Sequence, residues 1–230
     1  MPTYSLAPHR VITVVAMLAA TAVCRLDAQM PGLPVLQNGF SNPGITAAVN
    51  YGTAEGVRGY GVAGAWAPAS GRFQVSGGIG GYDPDEGKTW LSYGGRIGVP
   101  LTMFTGNGSF GVAPFAGIGA ANRADEALLY VPVGVAAGYR RAVGETRAIS
   151  VYGSSSYGWN RLTDDRPDGD PARDRTISNG LIRFSAGLDF AVTTSLGVTI
   201  GYEFGAKADP SEPGPTGSVF GIGLSYAFRR

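Results

Sequence analysis

The sequence predicts an all-β chain that closes into an antiparallel, up-and-down barrel of about ten strands, with about eight as the alternative. Three observations carry this prediction. Large apolar residues alternate with small residues in one segment after another. Short turns alternate with long polar connections between these segments. After residue 28 there is no run of 18 or more apolar residues, so no membrane-spanning helix is expected there.

The alternation is clearest in the terminal segment, "SVFGIGLSYAFRR". One face of this predicted strand carries the large residues Phe220, Ile222, Leu224, Tyr226 and Phe228. Glycine, serine and alanine occupy the other face. Further segments alternate near residues 44–53, 57–68, 72–82, 91–101, 109–120, 129–139, 147–158, 181–192 and 195–204. Their length of about ten residues matches a tilted strand that crosses a bilayer.

The connections between the segments alternate in length. "PASG", "AVGE" and "TTS" are tight turns, and "TMFTGNGS" is somewhat longer. The intervening connections include "YDPDEGK", "RLTDDRPDGDPARDRTISN" and "GAKADPSEPGPTG", which are polar or rich in proline and glycine. Short turns at one end and long polar loops at the other are typical of a transmembrane β-barrel.

The composition indicates which face of the barrel points outward. Charged residues make up 15% of the chain, the net charge is +1, and glycine occurs 37 times. A near-neutral chain gives a nucleic-acid partner no electrostatic support. In a water-soluble barrel the non-apolar face would carry many charges, yet here it is mostly glycine, alanine, serine and threonine. Small residues suit the crowded inside of a narrow barrel, so the large apolar side chains are predicted to face lipid.

The first 28 residues are predicted to be a cleaved signal peptide. Residues 11–24 form an apolar run that is shorter than the about 20 residues of a membrane helix, and cleavage is placed after Ala28. A lipoprotein signal that would lipidate Cys24 is the alternative. Residues 29–42 are then an extended periplasmic lead or a partial plug, and residues 43–228 form the barrel.

Removal of the signal peptide would also remove His9 and Cys24, the single histidine and the single cysteine of the chain. Histidine is the most common general acid or base in enzymes, and histidine and cysteine are the usual ligands of zinc. We therefore predict no catalytic residues, no cofactor, no metal site and no enzymatic activity.

A charge network is predicted inside the barrel. Its members are Arg58, Arg96, Arg183, Asp189 and Glu203. If "TTS" closes a hairpin, we expect Arg183 to lie directly across from Glu203 on the inward face, where opposite charges contribute about 0.2–1 kcal/mol. The favoured interpretation is a structural plug in which buried charges neutralise one another. An ion-selective constriction is the alternative.

Aromatic residues near the ends of the predicted strands are expected to lie at the two membrane interfaces. These residues are Trp66 and Tyr139 at turn ends, Tyr157, Trp159, Tyr202 and Phe204 at loop ends, and Tyr226 and Phe228 at the end of the last strand. Trp90 is an exception, because its position in the alternation places it on the lumen face or at the loop rim.

One long loop is rich in carboxylates. The stretch "DDRPDGDPARD" contains Asp164, Asp165, Asp168, Asp170 and Asp174. Clustered carboxylates can bind calcium, but the final glutamate of the calcium-loop template is missing and arginines interleave. The sequence therefore favours a solvated surface loop over a calcium site.

The signal segment, the repeated strands and the Phe220-to-Phe228 alternation resemble the small outer-membrane β-barrel superfamily of Gram-negative-type bacteria, which includes opacity-type proteins. The resemblance covers residues 43–228 as a pattern. It implies a location in the cell outer membrane, contact with outer-membrane lipid, and insertion by the barrel-assembly machinery, which reads a C-terminal aromatic residue. Here Arg229 and Arg230 follow Phe228, which departs from that pattern.

Three functions are compatible with these predictions. The first is a monomeric envelope protein with a structural role that meets other surfaces through loops at 160–178 and 205–217. The second is a narrow, porin-like channel for small solutes. The third is a soluble secreted β-barrel. An even strand number would place both chain termini in the periplasm.

Overall fold

The structure, a computed structural model, describes residue 40 and residues 43–54, 57–85, 88–105, 108–123, 126–164, 175–207 and 218–228. The predicted signal peptide and residues 29–39 of the predicted lead lie outside these ranges. The central parts of the loops predicted at 160–178 and 205–217 also lie outside them, as do all of the loop aspartates except Asp164.

Every regular element in the described ranges is a β-strand segment. The segments are β1 (Gly44–Ala54), β2 (Val57–Ala67), β3 (Gln74–Pro84), β4 (Trp90–Gly98), β5 (Leu101–Thr105), β6 (Gly108–Arg123), β7 (Glu126–Ala142), β8 (Ala148–Asp164), β9 (Arg175–Ala191), β10 (Leu196–Lys207) and β11 (Ser218–Phe228). Neighbouring strands are antiparallel and follow chain order around one sheet. The described residues include no helix of the length and hydropathy needed to cross a bilayer.

β4 and β5 are two parts of one long strand, because both pair with β6 in one continuous register. The interruption falls at Val99 and Pro100, and a proline has no N–H to donate to a strand ladder. The Val99 amide still donates to the Pro114 carbonyl at 2.9 Å. Counted in this way the barrel has ten strands, which confirms the predicted number and rules out eight.

The first and last strands close the barrel. β1 pairs with β11 along a ladder that runs from Ile45 opposite Phe228 to Thr53 opposite Phe220. Closure removes the sheet edges that would otherwise expose unpaired backbone groups. The predicted closed, antiparallel, up-and-down architecture is therefore confirmed.

The connection predicted at "TMFTGNGS" is shorter than expected. β5 continues to Thr105 and β6 begins at Gly108, so most of this sequence lies in strands. The two glycines suggested a loop, but Leu101–Thr105 continues the ladder of β4 along β6 in the same register, and all five of its residues are exposed.

The pairing register sets the width of the barrel. Partners traced once around the sheet from Val151 lead back to Thr163 on the same strand, a shift of twelve residues. With about 3.3 Å per residue and about 4.8 Å between strands, this shift gives a strand tilt of about 40° and a backbone diameter of about 20 Å. Eight-stranded barrels are just filled by their own side chains, so this wider barrel needs large inward residues to close it.

The apolar residues face outward, as the composition predicts. Ile79, Ile200 and Leu224 lie near mid-strand and are 48%, 42% and 46% exposed. The inward residues Ala65 and Ser92 are only 6% and 0% exposed. An outer surface of large apolar side chains fits a barrel that is surrounded by the hydrocarbon of a membrane.

Candidate functional site

The inside of the barrel is the candidate functional site, and its two halves differ. The inward residues of β1–β4 are mostly glycine, alanine and serine, including the buried Ala63, Ala65, Ser76 and Ser92. The larger inward side chains come mainly from β6–β10. Since these four small residues are less than a tenth exposed, other side chains must cover them, and the larger side chains of the second half are placed to reach across the lumen.

The most buried charges of the lumen form an ion pair near its centre. Arg183 of β9 donates from Nη1 to Oε1 of Glu203 on β10 at 2.7 Å. The two residues are 8% and 6% exposed. A buried charge is tolerated only when it is paired and hydrogen-bonded, so each of these side chains depends on the other.

The register between β9 and β10 corrects one expectation about this pair. Arg183 lies opposite Gly205, and Glu203 lies opposite Ser185, so the two charges are diagonal neighbours rather than directly opposed. "TTS" does close the hairpin, since Val192 donates to the carbonyl of Leu196 at 2.9 Å across it. With Val192 facing Leu196, Arg183 falls opposite Gly205, so the expected pairing was miscounted by two residues. The long Arg183 side chain spans the diagonal.

Two tyrosines share the central part of the lumen. The Arg183 guanidinium lies 5.6 Å from the centroid of the Tyr130 ring of β7, a distance at which a cation is attracted to the ring face. Tyr82 of β3 also points inward, and among the described residues its buried hydroxyl has no hydrogen-bond partner. The rings of Tyr130 and Tyr82, from two different parts of the barrel wall, therefore help to fill the lumen around the ion pair.

A second polar group lies toward the turn end of the barrel. Asp189 accepts a hydrogen bond from Thr199 at 2.8 Å and lies 3.9 Å from Arg140 Nη2. Arg140 also donates from Nε to Ser150 at 3.1 Å. Asp189 and Arg183 are six residues apart on β9, which is about 20 Å along a strand. The expected single network is thus wrong for Asp189, whose cationic neighbour is Arg140.

Arg96 faces the lumen, as expected, and it packs on an aromatic ring. Its guanidinium lies over the ring of Phe115 on β6, with Cζ 4.6 Å from the ring centroid. Phe115 is itself 8% exposed and points inward. Glycine allows this packing, because a Cβ built at Gly134 would lie 2.7 Å from the Phe115 ring and 2.6 Å from Ser156 Cβ.

Arg58 does not belong to the lumen. It alternates in phase with Tyr60, Val62 and Trp66, which are all exposed on the outer face of β2. Glycine-rich sequence around it obscured the alternation, so the assignment of Arg58 to the interior was wrong. Its position at the loop end of the strand places the charge near the polar edge of the apolar surface.

The loop end of the lumen has its own charged group. Arg123 donates from Nε and Nη2 to one carboxylate oxygen of Glu126, at 3.1 Å and 2.6 Å. The same guanidinium lies 4.7 Å from the ring centroid of Trp90. The inward placement expected for Trp90 agrees with its alternation on β4.

The aromatic residues predicted for the interfaces all lie on outward faces. Trp66, Tyr139, Tyr226 and Phe228 lie toward the turn end, and Tyr157, Trp159, Tyr202 and Phe204 lie toward the loop end of the membrane-facing surface. Two of these pairs are in contact: the rings of Tyr226 and Phe228 are 5.0 Å apart, and those of Tyr202 and Phe204 are 6.4 Å apart. Their role at the membrane interfaces stays a prediction.

The large inward residues were missed by sequence reasoning, although a signal for them existed. Arg140, Tyr130, Tyr152, Phe115 and Tyr82 occupy the same alternation phase as the small inward residues. The assumption that a narrow lumen accepts only small side chains concealed them. Alternation alone, applied without that assumption, would have assigned them correctly.

The arrangement offers packing and charge neutralisation rather than an exposed chemical group. Ser92, Ala136 and Ser150 face the lumen at different heights and are 0%, 0% and 1% exposed. In the described ranges no group of three or more histidine, cysteine, aspartate or glutamate residues is placed to hold a metal ion.

Comparison with known proteins gives one family match. The model of the outer membrane protein beta-barrel domain matches residues 56–228, which span every strand except β1. No curated protein sequence matches the chain.

Solved structures similar to this chain are outer-membrane barrels of low sequence identity. The N-terminal β-barrel domain of Pseudomonas aeruginosa OprF is 11% identical, with 80% of this chain and 96% of that chain covered and a TM-score of 0.41. LpxR from Salmonella typhimurium is 10% identical, with coverages of 75% and 73% and a TM-score of 0.45. Ail of Yersinia pestis is 12% identical, with coverages of 81% and 100% and a TM-score of 0.33.

Proposed function

The chain belongs to the outer membrane protein beta-barrel domain family and is a barrel of the outer membrane, and from this premise we propose that it works as a closed membrane anchor. In this role the barrel holds its long loops at the cell surface and strengthens the envelope, and it does not conduct solutes. The barrel acts as a monomer surrounded by outer-membrane lipid. Membership of this family argues against the soluble secreted β-barrel, which was the third possibility given by the sequence.

The single observation that supports closure is the buried Arg183–Glu203 pair at 2.7 Å. A pair in a water-filled pore would be solvated, and both side chains would be exposed. Here both are less than a tenth exposed, and the Tyr130 ring adjoins the guanidinium. A lumen that excludes water at the level of its charges resists the passage of hydrated ions, because such ions would have to shed water and displace the pair.

The loops supply the interaction part of the proposal. The longest predicted connections, at 160–178 and 205–217, follow β8 and β10, which end on the side of the barrel opposite Gly44 and Phe228. They are rich in charged residues, proline and glycine. Connections on a rigid scaffold are where binding residues concentrate, so we assign contact with other surfaces to these two loops.

A narrow channel is the second candidate, and one observation favours it. The lumen face of β1–β4 is lined by glycine, alanine and serine. If the Arg183–Glu203 pair separated and the side chains of the opposite half withdrew, this small-residue wall would border a water path. The channel therefore requires a rearrangement, whereas the anchor requires none.

The anchor proposal is tested in a strain that lacks the chromosomal copy of the protein. The strain is complemented with the full chain or with a variant in which residues 165–174 and 208–217 are replaced by short Gly-Ser segments. We expect both to restore resistance to detergent, and only the full chain to restore attachment to abiotic or host surfaces. Equal attachment by both variants would contradict the role of the loops. Unrestored detergent resistance with the full chain would contradict the structural role.

A further inference from the structure

Phe40 precedes the first strand, yet it is as buried as the core of the barrel. It lies before β1, which begins at Gly44, and it is 9% exposed. A phenylalanine in a solvated periplasmic lead would be exposed. Its burial means that this side chain is covered by the barrel although it precedes the first strand.

The contacts of Phe40 place its ring in the turn-end mouth of the lumen. The Arg140 guanidinium lies 4.7 Å from the ring centroid. A Cβ built at Gly138 would lie 3.1 Å from ring atom Cε2 of Phe40. Gly138 and Arg140 are inward residues near the turn end of β7, and the glycine leaves space for the ring to approach the strand backbone.

The cation that meets this ring is held in place by its neighbours. Arg140 donates to Ser150 at 3.1 Å and lies 3.9 Å from Asp189, which in turn accepts from Thr199 at 2.8 Å. Ser150 of β8 and Asp189 of β9 therefore contact the guanidinium, and Thr199 of β10 fixes the position of Asp189. A held guanidinium presents a flat face to an aromatic ring, and the attraction is strongest where water is excluded.

From this geometry we propose that Phe40 closes the periplasmic mouth of the barrel by lying on Arg140. The barrel then has two closures in series, Phe40 on Arg140 at the mouth and Arg183 with Glu203 at the centre. Loss of the outer closure exposes the polar group around Ser150 and Asp189 to the periplasm while the centre stays shut. This inference rests on Phe40 and the residues of the mouth, and it goes beyond the proposed anchor function.

The closure by Phe40 is tested by the reactivity of a thiol placed behind it. Ser150→Cys puts a thiol at a position that is 1% exposed and touches Arg140, in a Cys24→Ser background so that no other thiol is present. The refolded protein in detergent is treated with a small anionic methanethiosulfonate. We expect slow modification with Phe40 present and at least about tenfold faster modification in Phe40→Ala. The reason is that the reagent reaches the thiol only while the mouth of the barrel is open.

The matched control is Phe104→Ala, which removes an aromatic ring that is 88% exposed at the same end of the barrel. This variant is expected to leave the modification rate unchanged. Phe40→Leu keeps apolar volume and removes the ring face, so an intermediate rate is expected. It also supplies the test if the alanine variant does not refold. Equal rates with Phe40 intact and in both substitutions of it would overturn the closure by Phe40, and that result would leave the conductance test of the closed centre unaffected.

Discussion

Arg183 and Glu203 form an ion pair at 2.7 Å between diagonal positions on neighbouring strands, and the interior of the barrel is organised around it. The diagonal relation lets the arginine extend toward both Glu203 and the Tyr130 ring. One side chain of β9 thereby contacts residues of β10 and β7, and this fills a lumen that is too wide for small residues alone.

Loss of the arginine is expected to destabilise the barrel strongly. Arg183→Ala leaves the Glu203 carboxylate buried without this partner, and breaking a buried pair in this way costs about 3–5 kcal/mol. The thermal unfolding temperature of the detergent-refolded protein, followed by the loss of heat-modifiable gel mobility, is expected to fall clearly. Arg58→Ala removes an arginine from the outer face and serves as the control, with a change within about 0.5 kcal/mol. An unchanged melting curve for Arg183→Ala would contradict a structural role for the pair.

Replacing both members of the pair is expected to be milder than removing one. In Arg183→Met with Glu203→Leu, no uncompensated charge remains and apolar volume is retained. Such replacements of buried ion pairs are often neutral or stabilising by about 1–4 kcal/mol. Unfolding measurements on the two single variants and the double variant give the coupling energy directly. Additive effects of the single changes would show that the two side chains do not interact.

A methyl group at Gly134 is expected to disturb the lumen packing. A Cβ there would lie 2.7 Å from the Phe115 ring, and overpacking of this kind costs about 1–3 kcal/mol. The control is Gly64→Ala on the outer face, where the nearest atom to the new Cβ is the Thr46 carbonyl oxygen at 3.9 Å. The free energy of unfolding, measured in detergent or lipid, is expected to be lower for Gly134→Ala than for Gly64→Ala. Equal stability of the two variants would contradict the tight packing of the Phe115 ring.

A charge placed on the outer face is expected to destabilise the barrel more strongly the deeper it lies in the membrane. Ile200 lies near the middle of the apolar surface and Thr53 lies at the loop end of β1. Ile200→Arg is expected to destabilise the lipid-embedded protein by about 2–4 kcal/mol and Thr53→Arg by about 0–1 kcal/mol. Refolding equilibria in lipid vesicles measure both. A water-facing outer surface would make the two substitutions similar, and that result would contradict the orientation of the barrel.

Alternation was enough to find the strands, because a two-residue period survives even where glycine is frequent. The Phe220-to-Phe228 segment shows this best, since every second residue is large and all five are outward in β11. The prediction failed where the phase of the alternation was misread. At Arg58 the glycines at positions 59 and 61 obscured the phase, although Tyr60 and Val62 lie on the same face as Arg58.

The interior could be predicted only in part, because it depends on register across strands that are far apart in sequence. The partnership of Arg140 with Asp189 joins β7 to β9, and nothing in either segment indicates the other. The contact between Phe40 and Arg140 is of the same kind. The first pair follows from two consecutive registers, in which Arg140 is opposite Ser150 and Ser150 is opposite Asp189, and neither register can be read from one segment alone.

The most direct test of the closed barrel is planar-bilayer conductance of the refolded wild-type protein at neutral pH. Arg183→Ser with Glu203→Ser, combined with Phe40→Ala, removes both closures and shows that the assay can detect an open lumen of this width. The account predicts a silent bilayer for the wild type and discrete openings for the triple variant. Discrete, reproducible openings of the wild-type protein would contradict it.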